Sequence, residues 1–381
     1  MFLVENYAIA VLFCFVTMLC WGSWANTQKL AGKTWRYELF YWDYVFGVVL
    51  MALIFALTLG SSGEHGRGFF ADLRQAECMP MLYAFLGGVV FNIANILLVA
   101  AIAIAGMSVA FPVGIGLALV LGVILNYAAK PEGNAMLLFL GVALVAAAII
   151  TNALAYKKLP NQQRGVSTKG LTLSIACGVL MSLFYLLVQL SLAGVEVSVS
   201  AITLETPAHI VERIHKFAVD GVAILPLTAE HLGISQATFQ TGKLTPYTGI
   251  FIFTLGILAS NFFVNTAVMK KPFVGTPVPI GDYFKGGFKD HIWGIIGGGI
   301  WAIGMTLNVI ASGVASPAIS YGLGQGATLV SAVWGVLIWR EFKTAPKGTE
   351  KMLAAMFAFF VIGLGLIIWA RSLGLIIWAR M

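Results

Sequence analysis

Charge is what this sequence has least of. Asp, Glu, Lys and Arg together make up 10% of its 381 residues, where soluble domains carry roughly a quarter. With 59% hydrophobic residues and a mean hydropathy of +0.91, the chain has too few polar groups to clothe a water-soluble surface. Cysteine is sparse as well. Cys14, Cys20, Cys78 and Cys177 contain no CxxC pair, and three of them lie in apolar stretches, so neither a disulfide framework nor a zinc site is expected. The five histidines fall in loops or at the edges of apolar runs, and neither HExxH nor GxSxG occurs. Chemistry inside a membrane needs such groups at depth, so no enzyme, cofactor or metal is expected, and no ATP-binding domain is evident. The net charge of +7 is scattered over short loops, which is an orientation signal rather than a nucleic-acid footprint.

What the chain does have is long apolar runs. A membrane helix needs about 20 mostly apolar residues, and ten runs qualify, near 6–26, 39–60, 80–104, 108–128, 135–155, 170–192, 246–268, 290–312, 316–339 and 351–371. The first follows Glu5, lacks a basic flank and a small-residue cleavage pattern, and reads as a retained span. Spans 3 and 4, and spans 8 and 9, are joined by such short turns that each pair is expected to form a tight hairpin. Of the 23 Lys and Arg, 15 fall in the loops after odd-numbered spans, among them Lys157, Lys158, Lys270, Lys271, Arg340 and Lys343, and eight on the other side. The positive-inside rule then puts both termini outside the cytosol of a cell or inner membrane. The one long extramembrane segment, 193–245, lies on that outer side, and its ETPAHIVERIHKFAVDG stretch offers Thr206 and Pro207 as the start of a short amphipathic helix. It reads as a structured connector, with a lid or a partner surface as the alternative. At the other end LGLIIWAR (364–371) recurs unchanged at 373–380; the copy is too short to span, and no function is assigned to residues 372–381.

A shift of 210 residues lays FLGGVVFNI (85–93) over IIGGGIWAI (295–303), and with a two-residue adjustment SVAFPVGIG (108–116) over SPAISYGLG (316–324). Spans 3–4 and 8–9 are thus equivalent parts of two five-span halves, 1–156 and 170–371, with 157–169 as the central loop and 193–245 as an insertion. Five is odd, so the second half enters from the opposite face. The fold class expected is an all-α polytopic membrane protein, ten helices in a 5+5 inverted repeat. Carriers use this plan to place a site near the bilayer midplane, beside helices broken by Gly or Pro at matching places. Pro112, Gly114 and Gly116 make one interruption; Pro317, Gly322, Gly324 and Gly326 make the other. Loosened backbone at that depth must be buried in protein or face a wet cavity, although glycines also serve close helix packing.

Polar side chains collect in the same spans: Asn92 and Asn95, Gln189, Asn261 and Asn265, Asn308, Tyr321 and Gln325. A buried amide must bond across helices or bind a polar solute, and so many across five spans point to a lined pathway. Trp21, Trp24 and Trp301 are placed to stack on a planar or sugar-like ligand, or to anchor at the interface. Asp43, in FYWDYVFG at the start of span 2, is the carboxylate flanked by membrane-type aromatics on both sides. An ionisable residue there is a candidate for coupling solute movement to a proton; the alternative is a headgroup-level residue paired with Lys29, Lys33 or Arg36. Glu341, Lys343 and Lys351 read as end anchors.

WGSWANTQKLAG, YWDY, LGGVVFNIANILLVAAIAIAGMSVA and SYGLGQGATLVSAVWGVLIWREF together resemble the ureide permease family and its bacterial relatives in the drug/metabolite transporter superfamily, near the glucose/ribose porters and the rhamnose–proton symporter. The resemblance covers most of the chain outside 193–245 and the repeated tail. It implies a ten-helix, five-plus-five fold in which the first four helices of each half surround the substrate. It also implies proton-coupled uptake of ureide- or nucleobase-like heterocycles, with a monosaccharide as the neighbouring possibility, and it carries Asp43 and Asn95 across as functional positions. The plant members have a long central cytosolic region with a phosphate-binding-like motif, whereas loop 156–169 here is short and has no GxxxxGK[ST], so nucleotide regulation does not carry over. A receptor that kept a carrier fold is the reading from another class. Oligomeric state is not legible.

Overall fold

The structure, a computed structural model, describes residues 1–4, 6–31, 35–63, 66–159, 167–197 and 237–378. Among them ten helices are long and apolar enough to cross a membrane: Tyr7–Leu30, Tyr37–Leu57, Cys78–Ala105, Pro112–Ala129, Ala135–Lys157, Thr168–Ser191, Pro246–Lys270, Phe288–Ala315, Pro317–Ile338 and Thr349–Arg371. These are spans 1 to 10, and each corresponds to an apolar run in the sequence. Their starts are written in residues that satisfy the first, unpaired N–H groups of a helix. Asn6 accepts from Ala8 N at 2.7 Å and Asn134 from Leu137 N at 3.0 Å, while spans 7 and 9 begin on Pro246 and Pro317, where no backbone donor is needed. A short antiparallel pair, Val195–Val197 with Ala237–Phe239, closes the stem of the long segment. The amphipathic helix expected at Thr206, like Lys33 and most of the central loop, lies outside the described residues.

Helix pairing is set by glycine. Span 3 packs on span 7 and span 2 on span 8 so closely that a Cβ on Gly88 would lie 1.9 Å from the Phe253 carbonyl oxygen, and one on Gly298 1.9 Å from that of Tyr44. Gly256 lies against Phe85 O and Gly47 against Ile295 O at 2.0 and 2.1 Å on the same reckoning. No other residue type permits backbones this near. Span 1 lies on spans 8 and 9, span 6 on spans 3 and 4, and spans 5 and 10 pair with each other.

Several details depart from the sequence reading. Pro317 does not interrupt a helix. It is the buried first residue of span 9, after a turn in which Ser316 has φ of 82°; Gly106, at the matching turn before span 4, has φ of 78°. The break in span 9 comes lower, at Gln325 and Gly326, between helices Pro317–Gly324 and Ala327–Val333. At Pro112 the helix takes a π-helical turn over Phe111–Ile115, the form a helix takes when an extra residue is accommodated. Gly116 has open space beside it, so it is not a packing contact. The repeated tail continues span 10 as helix to Trp378.

Candidate functional site

Spans 2, 3 and 7 meet in a polar network. The Tyr41 hydroxyl donates to Asn92 Oδ1 at 2.9 Å and accepts from Asn95 Nδ2 at 3.1 Å, and Asn92 Nδ2 donates to Ser260 Oγ at 3.0 Å. Spacing explains the arrangement: Asn92 and Asn95 lie three apart and share a helix face. Asn261 and Asn265 share another, and Asn265 Nδ2 reaches the Glu38 carbonyl of span 2 at 2.9 Å. Asn261, one turn deeper on that face, is fully buried, yet neither atom of its amide has a hydrogen-bond partner among the described residues, and the Tyr44 hydroxyl is in the same state. Leaving such groups unpaired costs ~1–3 kcal/mol each, so they stand out from the satisfied amides around them.

Rings cover this network. Tyr44 stacks on Tyr41 and lies 4.6 Å from Trp24 between centroids. Next to it Trp301 stacks on Trp21 at 6.0 Å and touches Phe91 at 4.5 Å, with Phe253 and Phe184 completing the layer. On the far side of the layer a second polar set joins spans 6, 8 and 9. Tyr185 bonds Ser320 Oγ at 2.9 Å, Asn308 Nδ2 donates to Ser320 O at 2.8 Å, and Gln189 Nε2 to Ser312 Oγ at 3.0 Å; Asn308 Oδ1 has no partner among the described residues. The order along the helices separates the two sets. Phe253 precedes Ser260 by seven residues on span 7 and Trp301 precedes Asn308 by seven on span 8, about 10 Å of rise in each.

Tyr321 sits differently from the lining role expected of it. Its hydroxyl donates to the carbonyls of Ala118 and Met181 at 3.2 Å, tying span 9 to spans 4 and 6. Gln325 is half-buried at the break in span 9, and Gly324 lets Trp21 and the Asn308 amide approach.

Asp43 is 1% exposed, but not through the cations named above. Lys29 pairs with Glu341 and Arg36 with Glu38. Its Oδ1 accepts from the Tyr283 hydroxyl at 2.5 Å, and His291 Nδ1 lies 3.0 and 3.1 Å from its two oxygens. Tyr283 comes from the 3₁₀ turn Ile280–Lys285 and His291 from the start of span 8, with Trp35 edge-on to the imidazole. Burial, then the Asp43 carboxylate, push the Tyr283 phenol up, which keeps it a donor. Neither partner was singled out by the sequence, in which they stand 240 and 248 residues from Asp43. Glu341 is more than an end anchor, since it also accepts from Tyr156 of span 5 at 2.7 Å.

The chain is similar to known proteins. The family model for ureide permease matches residues 40–168 and 234–370, which together hold Asp43, both polar sets except Tyr185 and Gln189, and the ring layer except Trp21, Trp24 and Phe184. Ureide permease 1 of Arabidopsis thaliana is 22% identical over 97% of this chain and 98% of its own, and ureide permease 4 of the same plant 23% over the same shares. A probable ureide permease A3 of Vigna unguiculata reaches 31% over 37% of this chain and 39% of its own. A solved crystal structure superposes with a TM-score of 0.53 at 16% identity, covering 96% of this chain and 98% of that one, a likeness of fold alone. With the family model matching well over half of its length, this integral, multi-pass membrane protein belongs to the ureide permease family, which are transporters and not enzymes.

Proposed function

We propose that the protein is a secondary carrier that moves ureide- or nucleobase-like heterocycles across the membrane in exchange for the free energy of a proton gradient. The observation that carries the reading is the pair of buried, unpartnered groups, Asn261 and Tyr44, beside a satisfied amide network and under stacked rings. A ureide is flat, weakly apolar on its faces and edged with N–H and C=O groups, so rings and amides are the matching chemistry. The names of the relatives, ureide permeases throughout those cited, point the same way.

The moving parts follow from an inverted 5+5 repeat. Exchanging each span with the one five later turns the contact of spans 1 and 8 into that of 6 and 3, and that of 2 and 8 into that of 7 and 3. The glycine approaches obey the same exchange, Gly88 with Gly298 and Gly47 with Gly256. This supports two interlocked halves, 1–156 and 170–371, which rock about the ring layer. The positive-inside count assigns the Asp43 end to the cytosol and both termini to the other side.

Proteoliposomes given a pH step are expected to accumulate radiolabelled allantoin or uracil. Accumulation of glucose, ribose or rhamnose instead would replace the substrate class, and binding without flux would make the protein a receptor. Within that assay Asn261→Ala is expected to weaken affinity about tenfold with little change in thermal stability, because its amide gives the protein no bond to lose. Asn92→Ala is expected to lower both, since it takes the acceptor from Tyr41 and one donor from Ser260. Equal losses of stability in the two variants would make Asn261 a packing residue. Asn95→Ala and Gln325→Ala are also expected to cost affinity rather than yield.

A further inference from the structure

The two ends of the bundle are fastened by different chemistry. At one end the Asp72 carboxylate, on the short helix Phe69–Gln75 between spans 2 and 3, is fully buried. It accepts from Arg67 Nε at 2.9 Å, Gln75 Nε2 at 3.0 Å, and Thr245 N and Oγ1 at 2.7 and 2.9 Å. Arg67 spends its remaining donors on the carbonyls of Phe239, Gln240 and Lys243, and Gly242 N donates to Gln75 Oε1 at 2.6 Å. The loop between spans 2 and 3 is thereby stapled to the start of span 7. At the opposite end the loop between spans 7 and 8 is stapled to the start of span 2 by Tyr283, His291 and Asp43. The two short helices involved, Phe69–Gln75 and Ile280–Lys285, correspond under the 210-residue shift, so the two fastenings occupy equivalent places.

They differ in what a proton can do to them. A guanidinium keeps its charge at any physiological pH, whereas a buried carboxylate held only by a phenol and an imidazole can be neutralised by taking up a proton. We infer that Asp43, His291 and Tyr283 form the proton-binding site of the carrier and that it doubles as the latch of that end, while Arg67 and Asp72 form a latch that does not respond to pH. The inference rests on the carrier reading above. Asp43 is the shared acceptor of the latch. A proton added to its carboxylate removes the charge that the phenol and imidazole hold, frees the 3₁₀ turn and the start of span 8, and opens that end.

The remaining charged groups nearby are committed elsewhere. On span 2, Glu38 pairs with Arg36, whose Nη1 donates to Thr276 O. On the loop, Asp282 pairs with Lys285, and Asp290 accepts from Gly287 N at the start of span 8; Lys289 is exposed. Span 8 itself packs on the stem of the Asp43 side chain, since a Cβ on Gly294 would lie 2.4 Å from Asp43 Cβ. Small movements of span 8 therefore reach the site directly.

Hydrogen–deuterium exchange of the full chain in lipid nanodiscs, with no solute present, tests this independently of transport. Acidification from about pH 8 to pH 5 is expected to speed exchange of 280–291 about tenfold beyond the intrinsic pH effect, and to leave 69–75 unchanged. Asp43→Asn is expected to exchange fast in 280–291 at every pH. Tyr283→Phe removes a donor but keeps the carboxylate that takes the proton, so it is expected to be faster throughout and still pH-dependent; Asp72→Asn is expected to loosen 69–75 without any pH response. A wild-type protein whose 280–291 segment is indifferent to pH, or tightens on acidification, overturns the inference. So does a pH response confined to 69–75. If the latch responds but no solute moves, the inference stands and the carrier reading falls.

Discussion

Replacing Asp43 by Asn abolishes pH-driven accumulation of solute while solute-for-solute exchange continues. Under one-to-one coupling, a pH step of about one unit supports about tenfold accumulation, the concentration equivalent of ~1.4 kcal/mol; the variant is expected to reach none. The amide keeps the size of the carboxylate, so the start of span 2 stays packed against Gly294 even as the hold on Tyr283 and His291 is lost. What is lost is a charge that changes with pH. Counterflow needs only that the loaded protein reorient, and Tyr41 and Tyr44, through which span 2 meets the solute network, leave the helix about 100° or more around from Asp43. The measurement is uptake into proteoliposomes at imposed pH gradients beside counterflow at symmetric pH. Unimpaired gradient-driven uptake would remove Asp43 from the coupling.

Adding one methyl group at Gly88 or Gly298 is expected to be the most damaging change of its size in the protein. The carbonyl oxygens of Phe253 and Tyr44 stand where the new carbon would go, and both are backbone atoms of a packed helix that have no rotamer to escape into. Forcing the helices apart costs ~1–3 kcal/mol or more, and in each case it also shifts a ring or hydroxyl of the site. Gly88→Ala moves span 7, which carries Ser260 and Asn261; Gly298→Ala moves span 2, which carries Tyr41 and Asp43. Both variants should lose several degrees of thermal stability in detergent, and the double variant close to the sum, because the two contacts lie in separate interfaces. Ala at Gly116, Gly313 or Gly365, each with nothing within 4 Å of the added carbon, is the control; it should be neutral or gain ~0.5–1 kcal/mol.

Much of this architecture is legible in the residues because the bilayer sets a single strong requirement. A run such as 80–104 has few ways to satisfy its backbone other than as a membrane helix, so each of the ten spans announces itself. The alignment of Gly87–Gly88 with Gly297–Gly298 was visible for the same reason that those residues matter, since close approach admits only glycine. Pairwise chemistry was not legible. Nothing in FKDHIWG says that His291 meets Asp43, nor in IGDYFK that Tyr283 does, because their contact is made by the fold across some 240 residues. Pro317 misled because a proline reads as a break wherever it stands, whereas at the first position of a helix it breaks nothing. Asn261 and Asn265 looked equivalent by spacing, and only coordinates distinguish the one that bonds Glu38 O from the one that bonds nothing.

The ring layer has an electrical consequence. A protein that spends a proton gradient must not short-circuit it, and chains of hydroxyls and amides are good conductors of protons. Here the Asn92–Ser260 set and the Asn308–Ser320 set would make such a wire if they touched. Trp301, Phe91, Phe253 and Phe184 hold them apart with ring faces that offer no relay atoms, and the indole N–H of Trp21 is already tied to the Trp301 carbonyl at 3.3 Å. The same aromatic carbon that a flat solute would stack against thus insulates the membrane when no solute is there.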